Sequence, residues 1–213
     1  MHIHQNLITK YPLISEQVSK LQVEVILREL TRVLDAGIEG DIVEFGCYIG
    51  TTSLFIRRLL DNQQTASVKG RSFHAPEFHV YDSFEGLPEK SVWDASPSGE
   101  QFTAGELAVS KKQFLREFQK AHLQPPIVHK GWFSSLTEND VPEKIAFAFL
   151  DGDFYESIRD SLRLVLPRMQ KGGVIVVDDY AREALPGAAK AVHEHFPPGH
   201  IRVVRNLGVI HFS

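Results

Sequence analysis

A single cysteine, Cys47, in 213 residues leaves no internal disulfide to form and fits a reducing compartment. Lysine and arginine are scattered, with no basic block of five or more, and the formal charge is −4 with a pI near 6.2. That balance leaves no electrostatic footprint for nucleic acid. No run reaches the roughly 18 apolar residues that a membrane span requires. Residues 1–6 are polar and lack the basic start and apolar stretch of a signal peptide. Internal repeats and low-complexity linkers are also missing. What is present, 43% apolar residues over this length, suits one α/β domain over residues 1–213, working in the cytoplasm.

Along the chain, apolar positions from Ile14 to Leu34 recur at helical spacing, so residues 14–36 are expected as a helix within an N-terminal helical segment ending near Gly37. Residues 41–45 and 78–82 read as short buried strands, with a helix from Thr51 and a polar stretch, 61–77, between them. Residues 85–104, rich in glycine, proline, serine and acids, form a long loop that includes Trp93 and Phe102. Loops of that length in compact domains are usually functional, and this one is expected to be a lid that orders with its ligand. A helix carrying Leu107, Phe114, Leu115 and Phe118 follows, then strand 127–129 and a loop from Gly131. Strand 145–150, helix 156–169, a break at Gly172 and Gly173, strand 174–178 and helix 186–196 come next. The last strands, 201–205 and 209–212, are joined by a link at 206–208 too short for a parallel crossover, so they pair as an antiparallel hairpin. Strand–helix units ending in a hairpin predict a mostly parallel sheet with helices on both faces.

Two acidic clusters stand out, each at the end of an apolar run. Asp151 and Asp153 follow residues 147–150, and Asp178 and Asp179 follow residues 174–177. Strand ends of an open parallel sheet converge on a ligand crevice. Carboxylates gathered there repel one another unless a cation lies between them, so Asp151, Asp178 and Asp179 are read as a divalent-metal site. An Asp pair after a strand also describes a capped turn. Asp153 reads better as the N-cap of the following helix than as a ligand.

The segment from Glu44 to Ser53 joins the first strand to its helix. Gly46 permits a tight turn, and Gly50 the close approach of a ligand or a helix. Two glycines separated by three residues fall short of a dinucleotide fingerprint. An acid at Glu44 would repel a pyrophosphate and attract a cationic aminoalkyl sulfonium. Asp82, ending the next strand, can accept a pair of hydrogen bonds from ribose hydroxyls, although it also suits a turn with Ser83. Trp132 and Phe133, after a strand, fit core packing or stacking on a base.

Taken together, the Glu44-to-Ser53 run, Tyr81 to Pro88, Gly131-Trp132-Phe133, Leu150 to Ser157, Gly172-Gly173 and Val177 to Tyr180 resemble the macrocin O-methyltransferase family over roughly residues 40–196. The resemblance implies a class I methyltransferase (Rossmann-like) fold and Mg²⁺-dependent methyl transfer from S-adenosylmethionine to a hydroxyl, notably of deoxysugars in antibiotics. It implies that Glu44, Phe45, Gly46, Cys47 and Tyr48 line the methionine end and that Asp82 holds the ribose. Ser83, Phe84 and Gly86, with Ser110, Trp132 and Phe133, would surround the adenine. It also implies Asp151 as ligand and proton acceptor together, and a homodimer. Mg²⁺ takes oxygen ligands and keeps open positions, which two vicinal hydroxyls of the small-molecule acceptor would fill.

Catechol-type methyltransferases place a lysine three residues after the first Asp, where this chain has Phe154. His129 is a second candidate base by its strand position, and Tyr155 and Tyr180 either line the acceptor pocket or pack. Family members run somewhat longer, so the acceptor is the least transferable part. Two other readings stay open: a nicotinamide-dependent oxidoreductase, disfavoured by the missing third glycine and by Glu44, and a non-catalytic module binding a nucleotide-type cofactor.

Overall fold

A computed structural model describes residues 3–66, 75–99 and 101–213, with 63–66 described by their backbone alone. Residues 67–74 of the polar 61–77 stretch lie outside the described residues. Seven strands form one sheet: β1 (Asp41–Phe45), β2 (Phe78–Asp82), β3 (Ile127–Lys130), β4 (Ile145–Leu150), β5 (Met169–Val177), β6 (Arg202–Val204) and β7 (Leu207–His211). Their order is β3-β2-β1-β4-β5-β7-β6, parallel except for β7, which pairs antiparallel with β5 and β6. Helices α1 (Ile3–Lys10), α2 (Lys20–Asp35), α3 (Thr51–Ala66), α4 (Lys111–Lys120), α5 (Tyr155–Val165) and α6 (Pro186–His193) complete it.

The strands alternate their side chains between two cores. Ile42, Val80, Phe147, Phe149, Val174 and Val176 meet the apolar stripes of α2, α3 and α4 on one face. Val43, Phe45, Ala148, Leu150, Ile175 and Val177 meet α5 and α6 on the other. β4 is buried along its whole length, as a central strand covered on both faces must be. The chain turns outward from β1 in two directions, to β2 and to β4, so the crevice for a ligand opens at the C-terminal ends of β1 and β4.

Four boundaries differ from the sequence reading. The helix expected over 14–36 begins only at Lys20, after a Ser19 capping box with Gln22, and a separate short helix, α1, precedes it before Pro12. Leu107 precedes its helix, which starts only after the Ser110 cap. Helix α5 ends at Val165 because Pro167 has no N–H to continue it, and Met169 already belongs to β5. Gly172 and Gly173 therefore lie within a strand: the amide of Gly172 donates to Phe212 O at 2.7 Å, and that of Phe212 to Gly173 O at 2.9 Å. The hairpin turn is Arg205–Asn206, both with positive φ (55° and 69°), a two-residue turn whose twist matches the strands.

Candidate functional site

A cavity of about 370 Å³ opens at the C-terminal ends of β1, β2, β4 and β5. The chain leaves each of these strands through a residue with left-handed backbone, namely Tyr48, Phe84, Asp153 and Asp179, with φ between 47° and 57°. Non-glycine residues hold that conformation only where surrounding contacts impose it, and such residues gather at ligand sites. Gly46, at φ 86°, is required sterically: a Cβ there would collide with the carbonyl of Asp151 on the neighbouring strand end. Gly50 serves a helix rather than a ligand, since a Cβ there would meet the Phe114 ring of α4 at 2.9 Å.

One wall is organised by Asp82. Its Oδ2 accepts the amides of Cys47 (2.8 Å) and Tyr48 (3.3 Å), and its Oδ1 accepts that of Phe84 (2.7 Å). The carboxylate thus ties the turn after β1 to the turn after β2 and still borders the cavity with one lone-pair site of Oδ1 to spare. Gly46, Cys47, Tyr48, Ser83, Gly86, Trp132 and Phe133 line the same cavity. Phe133 also packs edge-on against Phe45, ring centroids 5.2 Å apart. Glu44, Phe45, Phe84 and Ser110 lie outside the lining. Phe45 and Phe84 are core residues beneath it, and Ser110 caps α4. Glu44 is buried under the first turn, receives the Ser53 hydroxyl at 2.6 Å, and is pushed up to about 8 by burial, with added repulsion from Asp82.

The other wall is acidic. Asp151, Asp153, Asp178 and Asp179 all border the cavity. Burial raises every one of them: Asp178 to about 7, and Asp151 and Asp153 well above the usual carboxylate range, with mutual repulsion adding to it. Two protein donors partly offset this charge. Gln22 Nε2 donates to Asp178 Oδ1 at 3.1 Å, its orientation fixed because Gln22 Oε1 accepts the Ser19 amide and hydroxyl. Arg182 Nη1 donates to Asp179 Oδ1 at 3.0 Å. All four donors are hard oxygens, the set Mg²⁺ prefers. Asp151, Asp178 and Asp179 do not bring one oxygen each within 4.8 Å of one another; among the described residues, the trio that does is Asp41, Glu77 and His79, far from this cavity.

Several sequence expectations are corrected here. Asp153 is not the cap of α5: the N-cap position is Phe154, and the first helical amide, Tyr155 N, donates to Asp94 Oδ1 at 2.7 Å instead. His129 does not reach the cavity. It stacks on Tyr81 and lies 3.1 Å from His79 Nδ1. Tyr155 and Tyr180 pack, their hydroxyls bonded to Glu194 and His193, and neither lines the cavity. Protein contacts fasten the loop after β2 at its neck and middle. Leu87 and Glu106, then Gly105 and Leu87, exchange backbone hydrogen bonds at its neck, and Asp94 bolts its middle to α5. Gln17, Arg159 and Arg182 also line the cavity and carry no motif that spacing reveals, while Leu87 and Pro88 join them from the end of the Tyr81-to-Pro88 run.

Sheet order, helix placement and a cofactor-sized crevice at the reversal of strand order define a class I methyltransferase fold. The structure superimposes on the O-methyltransferase NovP with a TM-score of 0.75 and 25% identity, covering 92% of this chain and 81% of that one. A Bacillus cereus O-methyltransferase in complex with S-adenosylhomocysteine shares the fold at 14% identity and a TM-score of 0.56, covering 99% of this chain and 89% of that one. The macrocin O-methyltransferase (TylF) family model matches residues 15–202, and the chain belongs to that family. Two relatives are the 8-demethyl-8-(2,3-dimethoxy-alpha-L-rhamnosyl)-tetracenomycin-C 4′-O-methyltransferase of Streptomyces olivaceus, 33% identical, and the mycinamicin III 3″-O-methyltransferase of Micromonospora griseorubida, 30% identical. The matches cover 76% and 75% of this chain, and the chain spans about 60% of the relatives' length. Among the described residues no helix is long and apolar enough to cross a membrane.

Proposed function

We propose that this chain transfers a methyl group from S-adenosylmethionine to a hydroxyl of a small molecule, a sugar or other vicinal diol of a natural product, with Mg²⁺ held by Asp151, Asp178 and Asp179. The observation that carries the reading is that Asp82 and the carboxylates of β4 and β5 face one cavity from opposite walls. Family membership and the sugar-methylating relatives support it.

In this reading Asp82 accepts a ribose hydroxyl at the Oδ1 lone pair that its three amide donors leave free. Trp132 and Phe133 flank the adenine, and the backbone from Gly46 to Tyr48 runs beside the methionine end. Glu44, buried beneath that turn and bonded to the Ser53 hydroxyl, supports the turn from below without reaching the ligand. The bound ion would supply orientation of the acceptor hydroxyls and a lower pKa for the one that reacts. Asp151 takes up the released proton at its carboxylate, the general-base role that the family resemblance implies. Gln22 and Arg182 keep Asp178 and Asp179 directed at the site. Leu87, Phe102 and Leu107 cover the acceptor side and exclude water. Methyl transfer asks little covalent help of a protein, so positioning carries most of the rate.

Calorimetry with S-adenosylhomocysteine and with NAD tests the cofactor assignment. Binding of the first and not the second fits the proposal. NAD binding without S-adenosylhomocysteine binding would replace it with an oxidoreductase.

A further inference from the structure

The parallel register that pairs Ile42 with Phe78 sets Asp41 beside Glu77 and Val43 beside His79, at the N-terminal ends of β1 and β2. These ends lie across the sheet from the cavity, about four residues or roughly 13 Å along each strand. Asp41, Glu77 and His79 share one face there, and each places one ligand-type atom within 4.8 Å of the others. Asp41 is already drawn to this corner: its Oδ1 accepts the Glu77 amide at 2.8 Å, which leaves Oδ2 free.

The imidazole supplies the second, independent observation. The His79 side chain is only 11% exposed, and its Nε2 is buried with no hydrogen-bond partner. Glu77 Oε2 comes nearest, at 3.5 Å, an ion-pair contact for a protonated imidazole but long for a hydrogen bond. The other ring nitrogen, Nδ1, lies 3.1 Å from His129 Nε2. If His79 donates across that contact, its Nε2 presents a bare lone pair to two carboxylates. That arrangement is repulsive without a cation between them. Metal-bound histidines typically use their second nitrogen in this way, donating to a neighbour that fixes the tautomer.

We propose that Asp41, Glu77 and His79 bind a divalent transition-metal ion of the Zn²⁺ class, distinct from the Mg²⁺ site in the cavity. One imidazole nitrogen with two carboxylates suits Zn²⁺, Co²⁺ or Mn²⁺ better than Mg²⁺, which rarely takes nitrogen. Water completes the shell on the exposed Glu77 side. The ion staples the starts of β1 and β2, and His129 on β3 orients the ligand without touching the metal.

The test uses Co²⁺ as a spectroscopic probe on the full chain carrying Asp151→Asn, Asp178→Asn and Asp179→Asn, which removes the three carboxylates assigned to the cavity ion from competition. This background protein is expected to bind Co²⁺ with visible absorption bands of a nitrogen-containing shell, and Zn²⁺ is expected to displace it. Adding His79→Gln should weaken Co²⁺ binding at least tenfold, and His129→Gln by about 10-fold through the second shell. Asp41→Asn, which keeps the oxygen that receives the Glu77 amide, carries the same expectation if His79→Gln fails to fold. Failure of the background protein to bind Co²⁺, or unchanged affinity in the folded His79 and Asp41 variants, would overturn the site.

Discussion

Asp94, in the loop after β2, caps helix α5 by accepting the Tyr155 amide at 2.7 Å, 61 positions away in sequence. The same carboxylate accepts the Ser91 amide and hydroxyl, and it fits only because position 187 of α6 is glycine, where a Cβ would collide with Oδ1. One side chain thus fixes the loop, the start of α5 and the start of α6 together. The residues it orders adjoin Asp153 and the cavity.

Asp94→Ala is expected to lose about 1–3 kcal/mol, the cost of leaving a buried donor without its acceptor. For a chain of this size that lowers the melting temperature by several degrees. Limited proteolysis gives a second readout: cleavage within residues 88–106 should rise in the variant even with S-adenosylhomocysteine present. An unchanged melting point and cleavage pattern would show that Asp94 is not the anchor.

Asp82→Asn should weaken S-adenosylhomocysteine binding about 10- to 100-fold. It removes a charged acceptor for ribose and disturbs the amides of Cys47, Tyr48 and Phe84. Calorimetry reads the affinity directly. Loss in Asp82→Asn with full retention in Ser110→Ala would separate the cavity wall from the α4 cap, which lies outside it.

The pH dependence has a definite sign. Glu44 is raised from 4.5 to about 8 and Asp178 from 3.8 to about 7, so the folded metal-free protein holds protons that the unfolded chain has already released. Stability therefore falls as pH rises through that window, from about 4 to 8. Thermal melts should show it, with a shallower slope in Glu44→Gln. Mg²⁺ should raise the melting temperature more at pH 8 than at pH 6, because the cavity carboxylates ionise as pH rises. Asp178→Asn should remove most of that difference.

Much of this arrangement is legible in the chain. β1, β2 and β4 follow from short apolar runs ended by acids, and the crevice follows from those ends facing one way. Asp82, Asp151, Asp178 and Asp179 stand out in the sequence as the acids that close strands, and all four border the cavity. What spacing does not reveal is contact between distant segments. Asp94 capping α5, Gln22 reaching Asp178 and Gln17 lining the cavity depend on how the N-terminal segment and the long loop fold back over the strand ends. Gly172 and Gly173 mislead for a different reason: glycine pairs usually end helices, whereas here they allow a bulge, seen as the register shift between β4 and β5. Asp153 misleads too, since an Asp before a helix is commonly its cap, yet φ of 57° turns its carboxylate to the cavity.

The most direct measurement is methyl transfer itself. The purified chain is incubated with methyl-labelled S-adenosylmethionine and a panel of vicinal-diol glycosides and phenols, with Mg²⁺ or with EDTA, and the products are read by mass spectrometry. The account predicts label on one hydroxyl oxygen with matching S-adenosylhomocysteine, abolished by EDTA and by Asp151→Asn. Label transferred equally well in EDTA would contradict the metal assignment, and label on nitrogen or carbon would contradict the reaction.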